Sequence, residues 1–186
     1  KYGLHLTEDE FKNQIFGRTE KDTLKYIFDR ELTEKELADY SDERVKIAIS
    51  IFQPQMALAD GLLALLYELD NSQLPTAIAT SSRQQYTDFI LDNLKIRHFF
   101  QEIVTAEDIT HGKPSPEIYF LAAKRLDIDP KFCVVFEDTL SGIKSVQSAG
   151  MKVVAITTTH TKSELISADN VVNSFTEVSV QFLQNL

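Results

Sequence analysis

Four short stretches of this sequence carry the residue types that phosphate chemistry needs. Thr80, Ser81, Ser82 and Arg83 close the apolar run Pro75-Thr76-Ala77-Ile78-Ala79. His111-Gly112-Lys113-Pro114 follows a second, shorter run, Ile103 to Ala106. Glu137 and Asp138 come directly after Phe132-Cys133-Val134-Val135-Phe136, and Thr157, Thr158 and Thr159 come after Val153 to Ile156. Hydroxyls and free N–H groups at a helix start bind phosphate oxygens. A lysine offsets charge as it develops on a transferring group. Adjacent carboxylates offer hard oxygen ligands for Mg2+. Phosphoryl transfer asks little else of a protein beyond such positioning and electrostatics.

The elements that must position these residues follow from periodicity. Up to about Phe52 the pattern is helical. Thr7-Glu8-Asp9-Glu10 is a capping box ahead of Phe11, Ile15 and Phe16 at helical spacing. Leu24, Ile27 and Phe28 share a face, and a second box, Thr33 to Glu36, leads into Leu37, Tyr40, Val45, Ile47, Ala48 and Ile51. From about Asp60 apolar runs alternate with helical faces. Leu62 to Leu69 is the first such face, and strands are expected at 75–80, 103–106, 132–136, 153–156 and 171–172. A helix-start box is expected at Thr161 to Glu164. Continuous apolar strands alternating with helices imply a parallel sheet covered on both faces. The fold class is α/β, a Rossmann-like core with a small all-helical module. In such sheets ligands sit at the carboxyl ends of the strands, where all four stretches fall.

Each stretch taken singly has a plainer reading. Thr80, Ser81 and Ser82 could be N-caps, Lys113 a solvated loop lysine, and Glu137-Asp138 acids favoured at a helix start. Thr139 and Ser141 read as caps. Cys133, the single cysteine, reads as a small core residue. His5, His98, His111 and His160 have no metal-ligand spacing and read as structural or surface residues.

Composition narrows the classes further. The 186 residues suit one domain with a smaller module, and 43% hydrophobic with 25% charged residues is an ordinary globular mix. A net charge of -9 argues against general nucleic-acid binding. One cysteine allows neither an internal disulfide nor a cysteine-held zinc. No apolar run approaches a membrane span, and Lys1-Tyr2-Gly3-Leu4 is no signal peptide. The expectation is a cytoplasmic protein, monomeric by default, acting on a small phosphorylated metabolite.

The ordered set is more specific than its parts. Ala77-Ile78-Ala79-Thr80-Ser81-Ser82, then Gly112-Lys113-Pro114-Ser115-Pro116-Glu117-Ile118-Tyr119, then Val134-Val135-Phe136-Glu137-Asp138-Thr139-Leu140-Ser141-Gly142-Ile143 resemble the second, third and fourth motifs of haloacid dehalogenase (HAD) phosphohydrolases. Ser148-Ala149-Gly150-Met151 extends the match, which runs from about residue 58 to 170. It is nearest the subgroup of beta-phosphoglucomutase and small sugar-phosphate phosphatases. The resemblance implies a helical cap over residues 1–57 and an α/β core over 58–186. It implies that Thr80, Ser81 and Ser82 hold the transferring phosphoryl group and that Lys113 bridges phosphate and nucleophile. It also implies that Asp138 ligates Mg2+ with Glu137 beside it, directly or through water. Gly17-Arg18-Thr19 resembles the cap stretch that reaches substrate, which makes Arg18 a candidate substrate contact.

One departure from the family pattern matters. The family's first motif is an Asp-x-Asp after a first strand, and none precedes the helical segment here. Asp127-Ile128-Asp129 has the spelling but precedes a strand, whereas active carboxylates belong at strand carboxyl ends. In the family the first strand is central, and its loss would expose two interior edges. The expectation is therefore that this sequence lacks a stretch the protein possesses. The leading reading is a phosphatase working through an aspartyl-phosphate. A phosphomutase of the beta-phosphoglucomutase type and a non-catalytic phosphate-binding remnant are the alternatives. A signalling receiver domain fits poorly, because its acids precede its hydroxyl and lysine.

Overall fold

The computed structural model describes residues 7–10, 15 and 20–186. The capping boxes at Thr7 and Thr33 both form. Thr7 N and Oγ1 donate to the Glu10 carboxylate and Glu10 N donates back to Thr7 Oγ1, at the start of α1 (Glu8–Glu10). Thr33 and Glu36 exchange the same bonds at the start of α3 (Glu34–Phe52). Between them α2 (Glu20–Phe28) stacks Phe28 on Tyr40 of α3, with ring centroids 4.7 Å apart. Leu24 and Val45 are buried, whereas Ile47 and Ile51 lie exposed.

From α4 (Leu62–Asn71) onward strands and helices alternate: β1 (Ala77–Ala79), α5 (Gln84–Asn93), β2 (Glu102–Val104), α6 (Glu117–Arg125), β3 (Val134–Glu137), α7 (Leu140–Ser148), β4 (Lys152–Ile156), β5 (Asn170–Val172) and α8 (Val180–Gln184). All pairings are parallel. β1 pairs with β2, and separately β3 pairs with β4 and β4 with β5. All five strands fall where the apolar runs place them. Two details differ. Phe132 is 74% exposed, because Asp129 caps a 3-10 turn over Pro130–Phe132 and β3 starts only at Val134. Cys133 is half-buried at the end of that turn. The Thr161–Glu164 bonds form, but they close a turn and no helix follows.

The two sheets share their covering helices. On one face a single core cluster takes Val104, Ala77 and Ala79 from the first sheet, Val153, Ala155 and Val135 from the second, and Ile118 and Ile143 from α6 and α7. On the other face α4 sends Leu66 toward Ile78 and Ile103, and Leu65 and Leu69 toward Val154 and Phe136. Both sheets therefore lie in one layer. Between them, β1 and β3 share no ladder. Their residues Ala77–Ala79 and Val134–Phe136 are only half-buried, while Val153–Ile156 of β4, paired on both sides, are buried. An open lane thus runs between β1 and β3.

The entry to α4 is fixed by a close backbone approach. Gly61 sits at φ +79°, and Phe175 N donates to Asp60 O. A Cβ on Gly61 would lie 2.3 Å from Thr176 N, so a backbone would have to move. Gly61→Ala should cost more than the roughly 1–2 kcal/mol of left-handed strain alone. Urea unfolding of the variant reads this. A loss within that strain figure would mean that the 174–177 turn yields easily.

Candidate functional site

Each strand ends in polar residues that its neighbour ties sideways. Thr80 N donates to Val104 O (2.9 Å), extending the β1–β2 ladder by one step, and Ala106 N donates to Ser82 O (3.1 Å). Thr80 Oγ1 accepts from Ser82 N at 3.1 Å, a local turn that leaves the hydroxyl proton available to an acceptor. None of the three hydroxyls caps α5. Its N-cap is Arg83, without a side-chain bond, and Glu107 accepts from Gln84 N instead. The capping explanation for these hydroxyls therefore does not hold.

Lys113 is brought in by a folded loop. Glu117 accepts from Thr110 N (2.7 Å) and His111 N (2.8 Å), which curls the chain back on the start of α6, and Ser145 Oγ donates to Ser115 O (2.6 Å). The Lys113 side chain is only 8% exposed. Its ammonium pairs with Glu137 Oε1 and stands 5.0 Å over the Tyr119 ring centroid. The solvated-lysine reading is thereby excluded.

Glu137 and Asp138 are adjacent in sequence but differently used. Both oxygens of Glu137 are engaged. Oε1 takes Lys113 and the Tyr119 hydroxyl (2.5 Å), while Oε2 takes Asp138 N (3.1 Å), Thr139 N (3.2 Å) and Thr139 Oγ1 (3.0 Å). Burial raises the Glu137 pKa, but the Lys113 charge and these bonds outweigh it and leave the carboxyl below its ordinary value. Burial, and next the Glu137 charge, hold the Tyr119 hydroxyl well above its usual pKa, so it stays a donor. α7 starts against this carboxylate: a Cβ on Gly142 would fall 2.1 Å from Glu137 Cδ. Asp138 instead faces a cavity of about 620 Å³. Its Oδ2 accepts from Thr158 Oγ1 (2.9 Å) and Thr159 Oγ1 (3.0 Å), and no donor among the described residues bonds its Oδ1.

That cavity gathers Thr80, Ser81, Ser82, Lys113, Glu137 and Asp138, with Thr158 on its wall. It opens over the lane between the sheets, since Ala79 of β1 and Phe136 of β3 also line it. Ile15, Thr23 and Arg44 reach it from the helical segment, a contribution that the sequence pattern did not single out. Arg83 ties the two parts, meeting Asp42 at 3.3 Å and Glu107 at 3.1 Å. Arg18 lies outside the described residues. Asp129, of the Asp-x-Asp spelling, is spent on the turn before β3 and on Lys131, away from the strand ends.

The donor set suits Mg2+ only in its sparse form. Among the described residues no three of His, Cys, Asp and Glu cluster as ligands. Mg2+ is commonly held by one or two carboxylates, with waters and substrate phosphate completing the shell. Asp138 Oδ1 meets that need. Glu137, with both oxygens occupied, orients Lys113 and the start of α7.

Comparison with known proteins shows the family. The family model for haloacid dehalogenase-like hydrolases matches residues 1–156, and the chain belongs to that family. It is 34% identical over 125 residues to the validoxylamine A 7'-phosphate phosphatase of Streptomyces hygroscopicus subsp. limoneus, covering 67% of this chain and 59% of that protein. It is 32% identical over 149 residues to the beta-phosphoglucomutase of Bacillus subtilis, covering 80% and 63%. The chain thus spans less than two thirds of the length of these relatives. A HAD hydrolase of family IA, variant 3, from Entamoeba histolytica superposes with a TM-score of 0.85 at 30% identity, covering 98% of this chain and 84% of that one. No helix among the described residues is long and apolar enough to cross a membrane.

The Lys113–Glu137 pair makes a stability prediction. Glu137→Gln strands a buried ammonium and should cost about 3–5 kcal/mol, while Lys113→Met with Glu137→Gln should recover part of that loss. Because the folded pKa of Glu137 is lowered, its contribution is complete above the unfolded value of about 4.3 and fades as pH falls through the folded value. Urea melts from pH 7 to 3 should show that acid loss in the wild type and less of it in the double variant. Equal slopes would remove Glu137 from the account.

Proposed function

We propose that this chain forms the phosphate- and metal-handling rim of a Mg2+-dependent phosphatase that acts on a small phosphomonoester, foremost a sugar phosphate, through an aspartyl-phosphate. The observation that carries the reading is the convergence of Thr80, Lys113 and Asp138, from the ends of different strands and loops, on one cavity. The Streptomyces relative, a validoxylamine A 7'-phosphate phosphatase, supports the reaction class. Residues 1–57 form the cap and 58–186 the core, and the cavity takes Ile15, Thr23 and Arg44 from the first and the polar rim from the second. Arg18 would add a cap contact to substrate.

In this reading Thr80 Oγ1, which accepts from Ser82 N and keeps its own proton, and the backbone N–H of Ser81 donate to the phosphoryl oxygens. Lys113, held by Glu137, places a fixed positive charge between phosphate and nucleophile. Mg2+ on Asp138 would balance charge on the phosphoryl oxygens. The attacking carboxylate belongs to an extended segment seated in the lane between β1 and β3, whose carboxyl end would meet Thr80 and Lys113. That carboxylate forms the new P–O bond as the ester oxygen leaves with a proton, and water then cleaves the acyl phosphate to free inorganic phosphate. A mutase would instead return the phosphoryl group to another hydroxyl of the sugar. The Bacillus subtilis relative favours this as the second reading.

The test is inorganic phosphate release from a panel of hexose, pentose and polyol phosphates by the full-length protein, with and without Mg2+. Release should need Mg2+, and Lys113→Ala or Asp138→Asn should each lower kcat by about 100-fold or more. Isomerised sugar phosphate without net release would select the mutase. Phosphate or Mg2+ binding with neither product would select the non-catalytic reading and overturn the proposal.

A further inference from the structure

The loop after β4 is built around a single residue. Asp138 has four polar sites: its N–H, its carbonyl and two carboxylate oxygens. Thr158 Oγ1 donates to Oδ2 at 2.9 Å, and Thr159 Oγ1, whose single proton is shared with the carbonyl, lies 3.0 Å from the same oxygen. Thr159 Oγ1 also lies 2.6 Å from the Asp138 carbonyl, and His160 Nδ1 lies 2.9 Å from the same oxygen. A carbonyl oxygen has no proton to give, so Nδ1 carries the hydrogen and donates. The N–H of Asp138 goes to Glu137 Oε2. Among the described residues only Oδ1 has no bonded donor.

We infer that Thr158, Thr159 and His160 are positioning residues, a clamp that fixes the Asp138 carboxylate with Oδ1 presented to a divalent cation; this rests on the metal reading proposed above. Glu137 has both oxygens occupied, so among the described rim carboxylates cation binding falls on Asp138. Mg2+ demands near-ideal octahedral geometry, and a single carboxylate free to rotate meets that demand poorly. Thr158 holds Oδ2, His160 holds the carbonyl, and the single Thr159 proton is shared between the two, so three donors fix both the carboxylate plane and the backbone that carries it. Parallel pairing makes the clamp possible: Glu137 stands beside Ala155, so the residues after β4 overhang the residue after β3. Thr157, one position earlier, turns the other way to Asn173 at 3.2 Å. A purely structural role explains Thr158 badly, since it is exposed at the rim and touches no core cluster. The usual effect of removing a residue that orients a metal ligand is a loss of metal affinity of about 10–100-fold.

Mn2+, read by its electron paramagnetic resonance signal and displaced by Mg2+, is the probe. The proteins are full-length wild type, T158A/T159A, T158S/T159S and D138N, each checked for folding by thermal melting. The clamp expects T158A/T159A to bind Mn2+ about 10–100-fold more weakly, and T158S/T159S, which keeps the hydroxyls, to bind as the wild type does. If T158A/T159A binds like wild type while D138N loses the ion, the clamp is overturned and the metal reading stands. If the serine variant is as weak as the alanine variant, methyl packing and not hydroxyl donation holds Asp138, and the clamp is again overturned. Unchanged binding by D138N, or no binding by wild type, removes the metal reading and the clamp with it.

Discussion

A lysine and a glutamate that face each other, nearly buried, on the wall of the cavity organise this molecule. Taking two charges from solvent costs several kcal/mol each, and that cost is met only when geometry is good and the remaining polar sites are filled. Here they are filled. Glu137 collects the ammonium of Lys113, a tyrosine hydroxyl, a threonine hydroxyl and two backbone N–H groups. Those partners come from the 110–117 loop, α6 and the start of α7. One carboxylate therefore locks together the elements that carry the rim, and Gly142 is needed because any side chain there would occupy its place.

The neighbouring carboxylate has the opposite environment. Asp138 meets the cavity, with hydroxyls on one oxygen and no described donor on the other. A sheet that runs parallel makes this division natural. Alternate residues at a strand end point to opposite sides, so one acid turns into the packing and the next turns to the rim. The pair thus divides: one residue fixes charge inside the fold, and the other leaves a carboxylate oxygen open to the cavity.

Much of this could be read from the chain. The five strands stand out because strands buried on both faces must be continuously apolar, and the residues after them can be listed without a structure. Phe132 reads as strand in the sequence, since an apolar residue in a turn looks the same there as one in a strand. Other features depend on contacts distant in sequence. Nothing local says that Glu137 will be filled by a lysine 24 residues away, while Asp138, with the same chemistry, stays open on one side. His160 looked like a scattered histidine, and only the register of β3 against β4 brings it to the Asp138 carbonyl. Thr161 and Glu164 form the bonds of a helix start without a helix, because the box is a local motif and helix growth needs an apolar face to pack. The place of Ile15, Thr23 and Arg44 on the cavity wall has no local signal, because a cavity between two parts of a chain leaves no periodic trace.

The central claim is that the rim holds a phosphoryl group above the lane between β1 and β3. A crystal structure of the full-length protein with Mg2+ and trifluoroberyllate, a mimic of a phosphorylated carboxylate, tests it most directly. The account expects the anion within hydrogen-bond reach of Thr80 Oγ1, the Ser81 backbone N–H and Lys113. It also expects the cation on Asp138 Oδ1 and an extended strand paired with both β1 and β3. An anion bound elsewhere, or a lane closed by direct pairing of β1 with β3, would contradict it.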